Sequence, residues 1–167
     1  MSFDPRAERL RRRILSPWGF RAYLLAKLPL AACAGLHLEH LDESECRVSL
    51  PGGWRTQNPF RSMYFAAQAM AAEMSTGAPA MVLVAGAPAS VALILVELRA
   101  VFSKRIQERA SFIFSDVAGM RAAIERAAAS SEAERYTGRS VARLRDGTIA
   151  SEFEVTWSFK RRSTSSS

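Results

Sequence analysis

The chain is poor in the residues that build most metal and redox sites: its 167 residues include two cysteines and two histidines. Cys33 and Cys46 are too few for a disulfide framework and lack CxxC spacing, so core packing in a reducing compartment is their expected role. His37 and His40 lie three apart in a segment that alternates like a strand, which predicts opposite faces and no shared metal. Neither a metal site nor a cofactor is expected. No stripe of Lys and Arg interleaves with aromatics, so the formal charge of +7 does not point to nucleic acid. A field of one sign attracts any counter-charge without identifying it, and a polyanionic small molecule satisfies it as well as a surface does. The opening segment carries Trp18, Phe20, Leu24 and Leu25, but Arg21 and Lys27 interrupt it and no small-residue cleavage site follows, unlike a signal peptide. The 17-residue uncharged run Ala80 to Val96 sits at the lower limit for crossing a bilayer, yet Gly86, Pro88 and Ser90 break it, which fits buried core. A cytoplasmic protein without stable membrane insertion is expected.

What is present is enough apolar content, 49%, for one sizeable domain. Arg6 to Leu15 has helical spacing and a second short helix is predicted around Tyr23 to Leu28, together forming an N-terminal cover over residues 1–34 anchored by Trp18 and Phe20. From residue 35 to residue 160 the pattern changes. "LHLEHLDESECRVSL" alternates as a hairpin, Gly52, Gly53 and Pro59 break the chain, and an apolar helix is predicted to begin just after Pro59. Strand patterns follow in "LILVELRAVFS" and "ERASFIFS", then a helix capped by Asp116, then a hairpin turning at Asp146 and Gly147. In its last arm Phe153, Val155, Trp157 and Phe159 face one side and polar residues the other, the mark of an antiparallel sheet with one buried face. Residues 161–167 read as a disordered basic and Ser-rich tail. An α+β fold with one sheet wrapped around one central helix is the economical arrangement, because that helix is apolar nearly all round.

The stretch "NPFRSMYFAAQAMAAEMSTG", residues 58–77, carries the chemistry. Together with the element order it resembles the hotdog-fold superfamily, and within it the phenylacetate-degradation-type acyl-CoA thioesterases and a related uncharacterised bacterial family. The family pattern has an Asn, a Gly three residues on, His-Gly-Gly from six residues on, and an acidic residue fifteen on. Asn58 and Glu73 match; Arg61 stands at the Gly, and Tyr64, Phe65 and Ala66 replace His-Gly-Gly. The resemblance implies hydrolysis of an acyl-CoA or another acyl thioester, and a homodimer or dimer of dimers with sites along the interface.

With the helix starting after Pro59, Ser62, Ala66, Ala69 and Glu73 fall within about 60° of one another, so the carboxylate shares a stripe with small side chains. Such a stripe admits either a tightly packed strand or a channel for an acyl chain, which the flexible Met70 can line. In the thioesterase reading Glu73 acts as general base on water or as nucleophile, and backbone N–H groups near Phe65, at the positive end of the helix, supply an oxyanion site. Otherwise Glu73 pairs with an Arg or reaches solvent. Asn58 either orients the water or holds the loop leading into the helix. Arg61, with Arg55 and Arg105, supplies charge for CoA phosphates, or pairs with the Glu73 of a second copy. Tyr64 fits packing or an interface hydroxyl better than a catalytic acid, and lies half a revolution from Glu73, so one copy of the helix cannot bring both to one point. Ser90 is a candidate for positioning the carboxylate. The competing class is an acyl-ligand binder that keeps the fold without catalysis.

Overall fold

The computed structural model describes residues 3–163. Three short helices come first: α1 (Pro5–Leu15), α2 (Pro17–Lys27) and α3 (Pro29–Ala34). Each begins with a proline, whose fixed φ and missing N–H suit the first helical position. Asp4 and Ser16 cap α1 and α2 by accepting bonds from Arg6 N–H and Gly19 N–H, and Gly35 ends α3 at φ 80°, a left-handed conformation that costs glycine little. The α2 helix starts at Pro17, earlier than its apolar spacing indicates, and α3 is an element the sequence pattern did not reveal. Phe20 anchors this cover at 3% exposure, but Trp18 does not: it is 83% exposed.

Strands β1 (His37–Leu41) and β2 (Cys46–Leu50) form the expected hairpin, and the long helix α4 (Phe65–Ala85) follows. Then come β3 (Val91–Phe102), β4 (Ala110–Phe114), α5 (Val117–Ala129), β5 (Glu134–Arg143) and β6 (Ile149–Arg161). The six strands form one antiparallel sheet in the order β1-β2-β4-β5-β6-β3, which leaves β1 and β3 as its edges. Strict alternation fails in β1, where the register shifts between Leu38 and His40; Leu38 and Leu41 are both buried, and His37 and His40 are both exposed. At the other end, β6 runs through Arg161, and Arg162 N–H bonds the Ser90 carbonyl at 2.8 Å. The last four residues of the expected tail, 164–167, lie outside the described residues.

The inner face of the sheet wraps α4. Phe112, Phe114, Phe153, Val155 and Phe159 from β4 and β6 are essentially inaccessible, each burial stabilising by about 1.5–3 kcal/mol. They meet small residues of the helix, Ala71, Ala72, Ser75 and Ala78, all at 0% exposure. Buried polar groups between the layers are paired: Ser75 Oγ with Ser140 Oγ and Trp157 Nε1 with Thr76 Oγ1. The uncharged run Ala80 to Val96 divides into the end of α4, a turn and the start of β3; among the described residues no helix is long and apolar enough to cross a membrane. Asp116 caps α5 as expected, accepting from Gly119 N–H, and the last hairpin turns through Gly147 at φ 85°.

Gln68 ties the first turn of α4 to its surroundings, accepting from Ser151 Oγ at 2.8 Å and donating Nε2–H to the Met63 carbonyl at 3.0 Å, all buried. Gln68→Leu keeps the volume and strands both partners. Its expected cost is about 1–3 kcal/mol, read as a lower midpoint in urea unfolding with unchanged slope.

Candidate functional site

The loop before α4 is built on Asn58. Its Oδ1 accepts from Phe60 N–H, Ser62 N–H and Ser62 Oγ, and its backbone bonds Ser62 and Arg61 across the turn. Asn58 therefore holds the loop, one of the two roles open to it from sequence. Arg61 adopts φ 57°, making it the one described non-glycine residue in the left-handed region. This is the position where the family pattern has glycine, so the turn persists although the residue has changed. The chain then returns to the body through Met63 N–H to the Ile106 carbonyl and Tyr64 N–H to the Thr56 carbonyl.

The helix begins at Phe65, not after Pro59, because this loop needs Asn58 to Met63 in non-helical conformations. Ser62 is therefore off the helix and does not share the stripe of Ala66, Ala69 and Glu73. Tyr64 occupies the N-cap without a side-chain capping bond, and the first helical bond runs from Gln68 N–H to the Tyr64 carbonyl. The N–H groups of Phe65, Ala66 and Ala67 are left without intrahelical partners by helix geometry. Above them the Tyr64 and Phe65 rings meet edge-on at 4.8 Å, both exposed. These residues line a cleft of about 530 Å³ with Asn58, Ser62, Lys104 and Arg105. Arg105 also donates to the Phe60 carbonyl. Arg55 lies elsewhere, in a hollow against the N-terminal cover.

Glu73 stands about 12 Å further along the helix axis, eight residues from Phe65 at 1.5 Å each. Its side chain makes no hydrogen bond or ion pair among the described residues. The carboxylate lies over Gly77, where a Cβ would come within 3.0 Å of Oε1 and 3.3 Å of the Trp157 ring. Trp157 is fixed by its bond to Thr76 Oγ1, which in turn donates to the Glu73 carbonyl at 2.9 Å. On the other side Tyr23 of α2, whose hydroxyl donates to Met81 Sδ at 3.3 Å, feels the Glu73 charge: burial first, then that charge, raises its pKa. Burial alone raises the pKa of Glu73 above its ordinary 4.5. Burial without a paired cation favours the protonated form, so this carboxyl holds its proton to higher pH than an exposed one.

One chain thus divides the predicted site residues into two groups. Asn58, Arg61, Ser62, Tyr64 and Phe65 belong to the loop and cleft. Ala66, Met70 and Glu73 lie along the partly exposed side of α4. Ser90 joins neither: it lies beyond the far end of α4, exposed, next to Arg162. Gln68, Lys104 and Tyr23 went unnoticed in the sequence. Gln68 is, like Glu73, a polar residue inside an apolar helical run and was detectable on that ground. Tyr23 lies fifty positions from Glu73 and carries no local signal.

A long helix enclosed by a six-strand antiparallel sheet is the hotdog architecture, and solved structures share it. A Pseudomonas aeruginosa protein of unknown function described as a probable thioesterase superposes with a TM-score of 0.72 at 19% identity, covering 87% of this chain and 97% of that one. A Chlorobaculum tepidum protein of unknown function gives 0.73 at 11% identity over 93% and 94%. A Haemophilus influenzae thioesterase gives 0.62 at 10% identity over 84% and 88%. At such identities the likeness is one of fold. No curated protein sequence matches the chain. Residues 16–109 match the family described as a domain of unknown function, DUF4442, and the chain belongs to that family.

Two measurements test this geometry. Arg61→Gly should stabilise the protein by about 0.5–1 kcal/mol, because relief of the left-handed backbone outweighs the added freedom of the unfolded chain; a higher thermal midpoint reads it. For Glu73, a folded-state pKa raised above 4.5 gives a stabilising contribution that is complete below 4.5 and lost as pH rises through the raised value. Glu73→Gln should therefore be more stable than the wild type at neutral pH, with the difference disappearing below pH 4.5 in parallel unfolding curves.

Proposed function

We propose that this chain is a hotdog-fold thioesterase acting on an acyl-CoA or another acyl thioester. The observation that carries the reading is the Glu73 carboxylate, which lies against Gly77 and Trp157 without a partner and has its pKa raised by burial. A structural carboxylate at such a place normally finds a cation.

In this reading Glu73 takes a proton from water as the oxygen attacks the thioester carbonyl carbon. The carbon–sulfur bond breaks, the sulfur leaves as thiolate and takes up the proton, and the products are a carboxylic acid and a free thiol. Direct attack by Glu73, through an anhydride that water then hydrolyses, gives the same products. The developing oxyanion is met by the free N–H groups at Phe65 and Ala66. Lys104 and Arg105 in the cleft, with exposed Arg61, supply positive charge for the phosphates of a CoA carrier. Ala66, Ala69 and Met70 leave an apolar path for the acyl chain beside Glu73.

The axial separation of about 12 Å between Phe65 and Glu73 is too long for one chain to use both on one carbonyl. A second copy resolves this. Edge strand β3 exposes Ile94 at 63%, Val96 at 43% and Val101 at 62%, an apolar edge whose pairing with its own copy extends the sheet. The helix start of one copy then faces Glu73 of the other. Phe65, at 57% exposure over the first turn, favours the second reading, an acyl-thioester binder without turnover.

The test is free-thiol release from short, long and aromatic acyl-CoA esters. The expected result is turnover by the wild type, its loss in folded, dimeric Glu73→Gln, and loss of both turnover and dimer in Ile94→Lys. Saturable ester binding with no turnover in the wild type would establish the binder, and neither binding nor turnover would remove both readings.

A further inference from the structure

Between Glu8 and Glu39 the sequence has no carboxylate side chain and six cationic residues: Arg9, Arg11, Arg12, Arg13, Arg21 and Lys27. This stretch folds into most of α1 and all of α2 and α3. The α2 helix is apolar on both sides. Phe20 and Leu24 are buried at 3% and 2% against the body, which is all the fold requires. On its outer side Trp18 is 83% and Leu25 62% exposed, seven residues apart and therefore on one face, and Leu30 of α3 is 75% exposed. Arg21 sits between Trp18 and Leu25 on that face, and Lys27 follows, both exposed.

A second element meets this patch. Trp18, Arg21 and Leu25 share the lining of a hollow of about 350 Å³ with Arg55, from the loop after β2. The Arg55 guanidinium lies 5.8 Å over the ring of Trp54, itself 80% exposed. Two fully presented indoles, exposed leucines and cations without neighbouring acids are the composition of a surface that sits at the boundary between lipid headgroups and acyl chains. A patch closed by a second protein copy has no need of unopposed positive charge, since the same charge would face itself across a two-fold axis.

We infer that the outer face of α2 and α3, with the Trp54–Arg55 loop, docks the protein peripherally on an anionic phospholipid bilayer. Trp18, Leu25 and Trp54 enter the headgroup boundary, and Arg21, Lys27 and Arg55 meet lipid phosphates. No helix crosses the bilayer. The inference is independent of the reading of Glu73 and is tested without any hydrolytic assay.

The full chain is floated with vesicles of phosphatidylcholine alone and of phosphatidylcholine mixed with phosphatidylglycerol, at low and high salt, while tryptophan emission is recorded. Trp157 is buried throughout, so a blue shift reports Trp18 and Trp54. The expected result is flotation and a blue shift with the anionic vesicles alone, reversed by salt. Arg21→Gln with Lys27→Gln should weaken partitioning about thirtyfold, and Trp18→Ser with Leu25→Ser should abolish the blue shift, both without a change in thermal midpoint. Failure to float with anionic vesicles, equal flotation with neutral ones, or flotation unchanged by both double variants would overturn the inference. So would a change of oligomeric state in the Trp18→Ser/Leu25→Ser protein without lipid, accompanied by unchanged flotation, which would make the patch a contact between copies.

Discussion

Close packing of α4 against the concave side of the sheet sets the rest of the structure. A 21-residue helix can be wrapped by one sheet only if large side chains come from one partner and small ones from the other, and here the sheet supplies the bulk. Phe112, Phe114, Phe153 and Phe159 press on a helix whose inward positions are mostly Ala, Ser and Gly. The same economy appears on the sheet at Gly138, where an added Cβ would stand 2.9 Å from the Phe114 ring. Interdigitation of this kind fixes the rotation of α4 about its axis, and with it the side on which Glu73 emerges.

That rotation leaves one side of α4 incompletely covered. Inner-face residues of β3 are identified by their register partners on β6: Leu95 opposite Trp157, Leu98 opposite Val155, Phe102 opposite Ser151. Leu95 and Phe102 remain 37% and 48% exposed although their partners are buried, so the edge strand extends past the helix it should cover. The outward residues Ile94 and Val101 are exposed as well. The same outward face also carries the exposed Glu97–Arg99 pair, so what is costly in water is the unpaired edge with its apolar side chains, and a second strand paired there satisfies the free backbone groups.

The sequence made the sheet legible through alternation, which was clear in β2, β4 and β6 because each turns its large apolar side chains to one face. It made Glu73 legible by contrast, as one charge in an apolar helical run. The helix start was not legible. Helical spacing continues backward through Ser62, and the backbone conformation that stops it comes from Asn58 Oδ1 accepting three bonds and from a left-handed Arg61, which no propensity would assign. Trp18 misled for a related reason: apolar content marks a residue for burial only when a partner surface exists, and α2 had already spent Phe20 and Leu24 on the body.

The first of these departures bears on function. Because the loop delays the helix to Phe65, the free N–H groups lie at the cleft with Lys104 and Arg105, while Glu73 remains at mid-helix beside Trp157. Positive charge and a partly buried carboxylate are thus held at opposite ends of one helical segment. On the reading proposed above, a thioester, whose carrier is polar and whose acyl group is not, would use that separation across a paired β3 edge. The Glu73 carboxylate, held against Gly77 and Trp157 without an ion pair among the described residues, is the group on which that reading rests.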